Sequence, residues 1–141
     1  LRNDLAKVST PGTVKVMEQQ ALQMLPKVIH TYSHIRSEAL PELNAWDIVE
    51  ATFPGGSISG CPKRKAVELL KTLESSKRGI YTGCIGYMSD HGRMDLNIAI
   101  RTLEQRGDRI TAGFGGGIVA DSDGEREYEE CFAKAATFQA S

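Results

Sequence analysis

The sequence predicts an α+β fold, a mostly antiparallel sheet with helices on one face. Three observations carry this. The segment over residues 63–73 repeats apolar side chains at helical spacing. The stretch over 79–119 reads as consecutive strands joined by the short turns Asp90-His91-Gly92 and Arg106-Gly107-Asp108. Helix-like and strand-like segments then fall in separate runs rather than in strict alternation, which favours antiparallel over doubly wound parallel architecture.

The elements follow in order. Residues 1–11 run to a turn at Pro11-Gly12. Residues 13–17 alternate and predict a short strand, residues 19–25 a short helix or turn. The β-branched and aromatic residues over 28–35 predict a strand. Residues 44–53 read as a helix capped by Asn44, with Trp46, Ile48, Val49 and Phe53 apolar. Residues 54–62 hold three glycines between two prolines, a loop whose backbone approaches something closely. In the helix over 63–73, Ala66, Leu69, Leu70 and Leu73 share one face, and Lys63, Arg64, Lys65, Glu68 and Lys71 lie outside it. Strands are predicted over 79–89, 94–105 and 109–119. Residues 121–124 then break the chain and cap a last helix over 125–139.

Composition bounds the function. A chain of 141 residues is one domain by length. Its net charge of −1 supplies no overall basic field for nucleic acid or for an anionic membrane surface. No apolar run approaches the ~18 residues of a membrane-crossing helix. The three cysteines Cys61, Cys84 and Cys131 form no CxxC pair and fit a reducing, cytoplasmic setting. The chain opens on Leu1 rather than methionine, which reads as the inside of a longer polypeptide.

Several residues offer chemistry, each with a plain structural alternative. Glu127 and Glu130 stand three apart on the last helix, where paired carboxylates can hold a hard cation such as Mg²⁺; acids also simply favour a helix's first turns. Gly115, Gly116 and Gly117 break a strand, either for close approach of a ligand or backbone or for a bulge at a sheet corner. Arg101 follows an apolar run, where a guanidinium either faces a cleft and grips a carboxylate or lies exposed on a strand. Tyr81 is a site or a rim tyrosine. His30 is catalytic or a satisfied core histidine, and His34 shares its strand face. Lys134 is four residues after Glu130, the spacing of an ordinary helix ion pair.

The motifs FPGGSISGCPKRKAVELL, RGIYTGCIGYM, GRMDLNIAIRTL and AGFGGGIVADSDGEREYEECFAKAA occur in that order. Together with LRNDL and PGTVKV near the start, they resemble the C-terminal part of the chorismate-utilising enzymes. The resemblance covers essentially the whole chain and implies one portion, residues 1–141, of a single chorismate-binding catalytic domain of that α/β fold. FPGGS is more similar to the aminodeoxychorismate-forming type than to the anthranilate-forming type. This implies a transferase or lyase that aminates chorismate to 4-amino-4-deoxychorismate for para-aminobenzoate and folate biosynthesis. Anthranilate formation and a non-catalytic interaction module of the same fold are the alternatives.

By resemblance, Glu127 and Glu130 match Mg²⁺ ligands. Arg101 and Tyr81 match contacts to the enolpyruvyl carboxylate. Gly115, Gly116 and Gly117 match backbone against which a substrate carboxylate lies. His30 matches a catalytic histidine near the ring, Lys134 a lysine near the ring carboxylate, and Ser57 a residue beside the substrate. The resemblance also implies a glutamine amidotransferase partner subunit. The family's other metal-binding motif, Glu-x-x-Glu, and its reaction-determining Pro-Ile-x-Gly-Thr segment fall before Leu1. The 141 residues alone are therefore expected to be inactive, to hold Mg²⁺ weakly, and to leave an apolar face open to self-association.

Overall fold

The computed structural model describes residues 1–24 and 29–138. The expected ends at Leu25, Val28 and Gln139 lie outside the described residues. The chain forms two compact units, Leu1–Phe53 and Pro54–Ser141.

The first unit holds α1 (Arg2–Ala6), β1 (Lys15–Met24), β2 (Ile29–Arg36) and α2 (Ala45–Thr52). Strands β1 and β2 pair antiparallel from Lys15↔Arg36 to Met24↔Ile29, with irregularities on either side of Glu18. The helix or turn expected from residue 19 is instead the second half of β1. Glu, Gln, Ala and Leu are good helix formers, but the ladder to β2 satisfies their backbone groups and overrides a weak propensity. Gln20 departs from the ladder at φ 51°, and its N–H donates to Ser33 Oγ at 3.0 Å.

Helix α2 begins as the sequence predicts. Asn44 Oδ1 accepts from the N–H groups of Trp46 at 2.8 Å and Asp47 at 3.3 Å, while Asp47 Oδ2 accepts from Asn44 N–H at 2.8 Å. This reciprocal cap is worth about 1 kcal/mol. Near the chain start, buried Val8 and Ser9 join α1 to the segment before α2; Ser9 Oγ lies 2.6 Å from Leu5 O and 2.8 Å from Ser37 Oγ.

The second unit holds α3 (Gly56–Ser59), α4 (Lys63–Leu73), β3 (Cys84–Met88), β4 (Met94–Ile98), β5 (Leu103–Arg106), β6 (Arg109–Ala112) and α5 (Gly124–Ala135), followed by a 3-10 turn at Ala136–Phe138. Helix α4 has the expected bounds. The expected loop over 54–62 contains the single turn α3, closed by Ser59 N–H donating to Gly55 O at 3.0 Å.

The class and the antiparallel pairing are as predicted, but the strands do not run on as one meander. They form three two-stranded ribbons, β1-β2, β3-β4 and β5-β6. The predicted strand over 94–105 breaks between Ile98 and Leu103, where Arg101 takes φ 50°. The predicted strand over 109–119 ends at Ala112. The glycines that follow offer no side chains to a ladder, and the space beside Gly113 is filled by the Tyr81 ring.

Among the described apolar side chains, Val8 and Ala99 are buried, whereas Ile118, Val119, Tyr128 and Phe132 are each more than 60% exposed.

Candidate active site

Tyr81 sits on a turn that leads into β3. Its N–H donates to Arg78 O at 3.2 Å, and Gly83 N–H donates to Ile80 O at 2.9 Å. Thr82 N–H donates to Ala99 O and Ala99 N–H to Gly83 O, both at 2.9 Å. The β3-β4 ribbon is thereby prolonged to the residue after Tyr81. Both sides leave ordinary strand geometry there: Thr82 has φ 65° and Arg101 φ 50°. Such conformations cost about 1–3 kcal/mol each in side-chain-bearing residues and are held only where surrounding bonds impose them. Tyr81 and Arg101 were expected on neighbouring strands. They instead occupy the irregular segments just beyond the ends of β3 and β4.

The glycine segment lies against side chains from elsewhere in this unit. A Cβ on Gly113 would fall into the Tyr81 ring, and one on Gly115 would lie 2.8 Å from the Tyr81 hydroxyl. A Cβ on Gly116 would lie 2.7 Å from Glu127 Oε2. At Gly117 the same position meets nothing within 4 Å. Close approach therefore explains Gly115 and Gly116, and what approaches is side chain on backbone.

Helix α5 supplies the charges. Asp123 caps it by accepting from Arg126 N–H at 3.1 Å. Glu127 lies one turn in; Glu130, expected at one turn, lies nearly two turns in. Ser122 Oγ donates to Glu127 Oε1 at 2.6 Å and accepts from Val119 N–H at 3.0 Å. Lys134 Nζ donates to Gly115 O at 2.9 Å and pairs with Glu130 Oε1 at 2.7 Å. That hydrogen bond, and then the ammonium charge, hold the Glu130 carboxyl below its usual range.

Tyr81, Gly115, Gly116, Glu127, Glu130 and Lys134 are thus linked through one glycine segment and one helix. Arg101 is exposed, and among the described residues it makes no hydrogen bond or ion pair. Ser57 is exposed on α3. His30 is half-buried on β2 opposite Gln23, in the first unit. Two residues that sequence reasoning missed belong to the cluster. Ser122 orients Glu127. Arg78 stacks its guanidinium 5.9 Å from the Tyr81 ring centroid. A serine just before the cap residue Asp123 was the visible signal for the first. For the second it was a glutamate four residues earlier, Glu74.

The donor set suits a hard divalent cation. Glu127 and Glu130 are carboxylates on one helical face, each with one oxygen committed to a neighbour and a second oxygen besides. Among the described residues, no three His, Cys, Asp or Glu side chains gather into a metal cage, so a cation held here draws its other ligands from elsewhere.

The second unit thus combines small antiparallel ribbons and helices with a carboxylate pair and a lysine beside the glycine segment. The chain belongs to the chorismate binding enzyme family, whose model matches residues 1–140. It is 44% identical over 134 residues to aminodeoxychorismate synthase component 1 of Salmonella typhimurium, covering 95% of this chain and 30% of that protein. It is 40% identical over 134 residues to anthranilate synthase component 1 of Acinetobacter calcoaceticus, covering 95% of this chain and 27% of that one. Among solved structures, anthranilate synthase component I from Streptococcus pneumoniae superposes with a TM-score of 0.83 at 39% identity, over 96% of this chain and 31% of that chain. The chain thus spans less than a third of the length of these relatives. No helix among the described residues is long and apolar enough to cross a membrane.

Proposed function

We propose that these residues form the chorismate-binding portion of an aminodeoxychorismate synthase of the component 1 type. The reaction replaces the ring hydroxyl of chorismate with ammonia, giving 4-amino-4-deoxychorismate and water. Chorismate carries two carboxylates, and binding it needs a positive group for each. Arg101 takes the enolpyruvyl carboxylate through its guanidinium fork, with Tyr81 beside it. The ring carboxylate lies toward α5, where Lys134 and a cation on Glu127 and Glu130 face it. Mg²⁺ held by Glu127 and Glu130 would supply Lewis acidity toward that carboxylate.

The chain's own residues do the remaining work. Gly117, where a side chain would meet open space, offers its backbone to the substrate edge. Ser122 fixes the rotamer of Glu127. Ser57 lies beside the ring. The ammonia comes from a glutamine amidotransferase subunit; the "component 1" in the relatives' names supports a second component of some kind. The free cysteines Cys61, Cys84 and Cys131 suit a reducing cytoplasm.

The observation that carries this reading is the convergence of Tyr81, the glycine segment, Glu127, Glu130 and Lys134 through direct contacts. The likeness to anthranilate synthase component 1, at 40% identity, favours one other reading, formation of anthranilate. Product analysis separates the two. The complete polypeptide that carries these residues is incubated with chorismate, ammonia and Mg²⁺, and the products are resolved by chromatography and mass. The expected product is 4-amino-4-deoxychorismate; anthranilate with release of pyruvate refutes the assignment.

A further inference from the structure

Arg78 binds three neighbours at once. Its Nε and Nη2 form a fork on Glu74, with Nε at 3.0 and 2.9 Å from the two carboxylate oxygens and Nη2 at 2.5 Å from Oε1. Its Nη1 donates to Thr82 Oγ1 at 3.2 Å. Its guanidinium carbon stands 5.9 Å from the Tyr81 ring centroid, within cation–π range. The pair is only partly open to water, with side-chain exposures of 26% for Arg78 and 35% for Glu74. Glu74 is the residue that ends α4, so the guanidinium ties a helix terminus to the turn bearing Tyr81.

We infer that Arg78, braced by Glu74, is a positioning residue that holds the Tyr81 ring against the glycine segment. Two features need such a device. Thr82 is β-branched yet lies at φ 65°, a conformation its neighbours must impose. The bond from Arg78 to Thr82 Oγ1, and the bond from that hydroxyl to Tyr81 O at 2.5 Å, act on this residue. The Tyr81 ring itself has no side chain to pack on at Gly113 or Gly115, only backbone. A planar guanidinium over the ring supplies what the glycines lack. Lysine, a point charge without the fork, cannot engage Glu74, Thr82 and the ring together.

This inference rests on the reading of Tyr81 as a substrate contact, and its test separates the two. In the complete polypeptide, the Gly113 Hα resonance reports the nearby ring through its ring current. Arg78→Met is expected to move that resonance in the same direction as Tyr81→Ala, with Arg78→Lys in between. Chorismate binding is measured on the same proteins. Arg78→Met is expected to weaken it roughly three- to thirtyfold, the size of a partly desolvated cation–ring contact. In the Tyr81→Ala background the same substitution is expected to change nothing further. Should Arg78→Met not fold, Glu74→Gln loosens the fork and is read the same way. An unmoved Gly113 resonance, or losses that simply add, overturns the positioning role. A moved resonance with binding untouched by Tyr81→Ala upholds the positioning role and refutes Tyr81 as a substrate contact.

Discussion

Alanine placed successively along the glycine segment separates close packing from a merely flexible loop. None of Gly113, Gly115 and Gly117 has a positive φ, so alanine meets no backbone penalty at any of them. Alanine also restricts the unfolded chain, which favours folding by about 0.4–1 kcal/mol. At Gly117 the new Cβ meets nothing within 4 Å, and the substitution should be neutral or slightly stabilising. At Gly113 the Cβ falls on the Tyr81 ring at Cγ, Cδ1 and Cδ2. The ring must move away or the glycine backbone must yield, and overpacking of this kind costs about 1–3 kcal/mol. The unfolded-chain term is common to both positions and cancels, so the net difference between Gly113→Ala and Gly117→Ala should be the overpacking cost alone, about 1–3 kcal/mol. Gly115→Ala, which meets the Tyr81 hydroxyl at 2.8 Å but not the ring face, should fall between them. Denaturant titration of the complete polypeptide reads all three. Equal midpoints for Gly113→Ala and Gly117→Ala would refute the reasoning.

Other consequences follow from the same contacts. Ser122→Ala frees Glu127 Oε1 and should weaken Mg²⁺ binding by calorimetry about tenfold, with Ser122→Thr restoring it; unchanged affinity would remove Ser122 from the site. Arg101→Ala should lower chorismate kcat/KM by the equivalent of about 2–5 kcal/mol, and turnover near wild type would exclude it. Arg78, chiefly through its hydrogen bonds, holds the Glu74 carboxyl below its ordinary range, so this pair stabilises the fold above the usual carboxylate pKa and loses that contribution as pH falls through the depressed value. Arg78→Met should flatten the acid limb of the stability–pH curve accordingly. The exposed Ile118, Val119, Tyr128 and Phe132 predict concentration-dependent self-association of the 141-residue chain, which sedimentation velocity would detect.

What the sequence made legible was local. Asn44 with Asp47 three residues on announces a capped helix, and the Leu spacing of α4 announces a helix over its full length, although Leu69 and Leu73 stay exposed. The second half of β1 was hidden because its side chains favour helix and pairing with β2 makes it a strand. The break at Arg101 was hidden for the same reason: nothing in the apolar run ending at Ile100 signals a left-handed residue next. In the site, three adjacent glycines signalled that something comes close. Which groups come close, Tyr81 from one side of the β3-β4 ribbon and Glu127 from α5, is a matter of tertiary packing. The motif resemblance named Tyr81, Glu127, Glu130, Lys134, Arg101 and Ser57; the structure brings Tyr81, Glu127 and Lys134 to the glycine segment, pairs Glu130 with Lys134, and leaves Arg101 and Ser57 exposed away from these contacts. It named His30 too, which lies in the other unit.

The central claim is that the glycine segment and the α5 carboxylates face the substrate. Amide resonances of Gly115, Gly116 and Gly117 in the complete polypeptide, followed during titration with chorismate in the presence of Mg²⁺, test it most directly. The account predicts saturable shifts at Gly116 and Gly117, lost when Glu127→Gln and Glu130→Gln are combined. Saturable binding of chorismate that leaves all three glycine amides unmoved would contradict it.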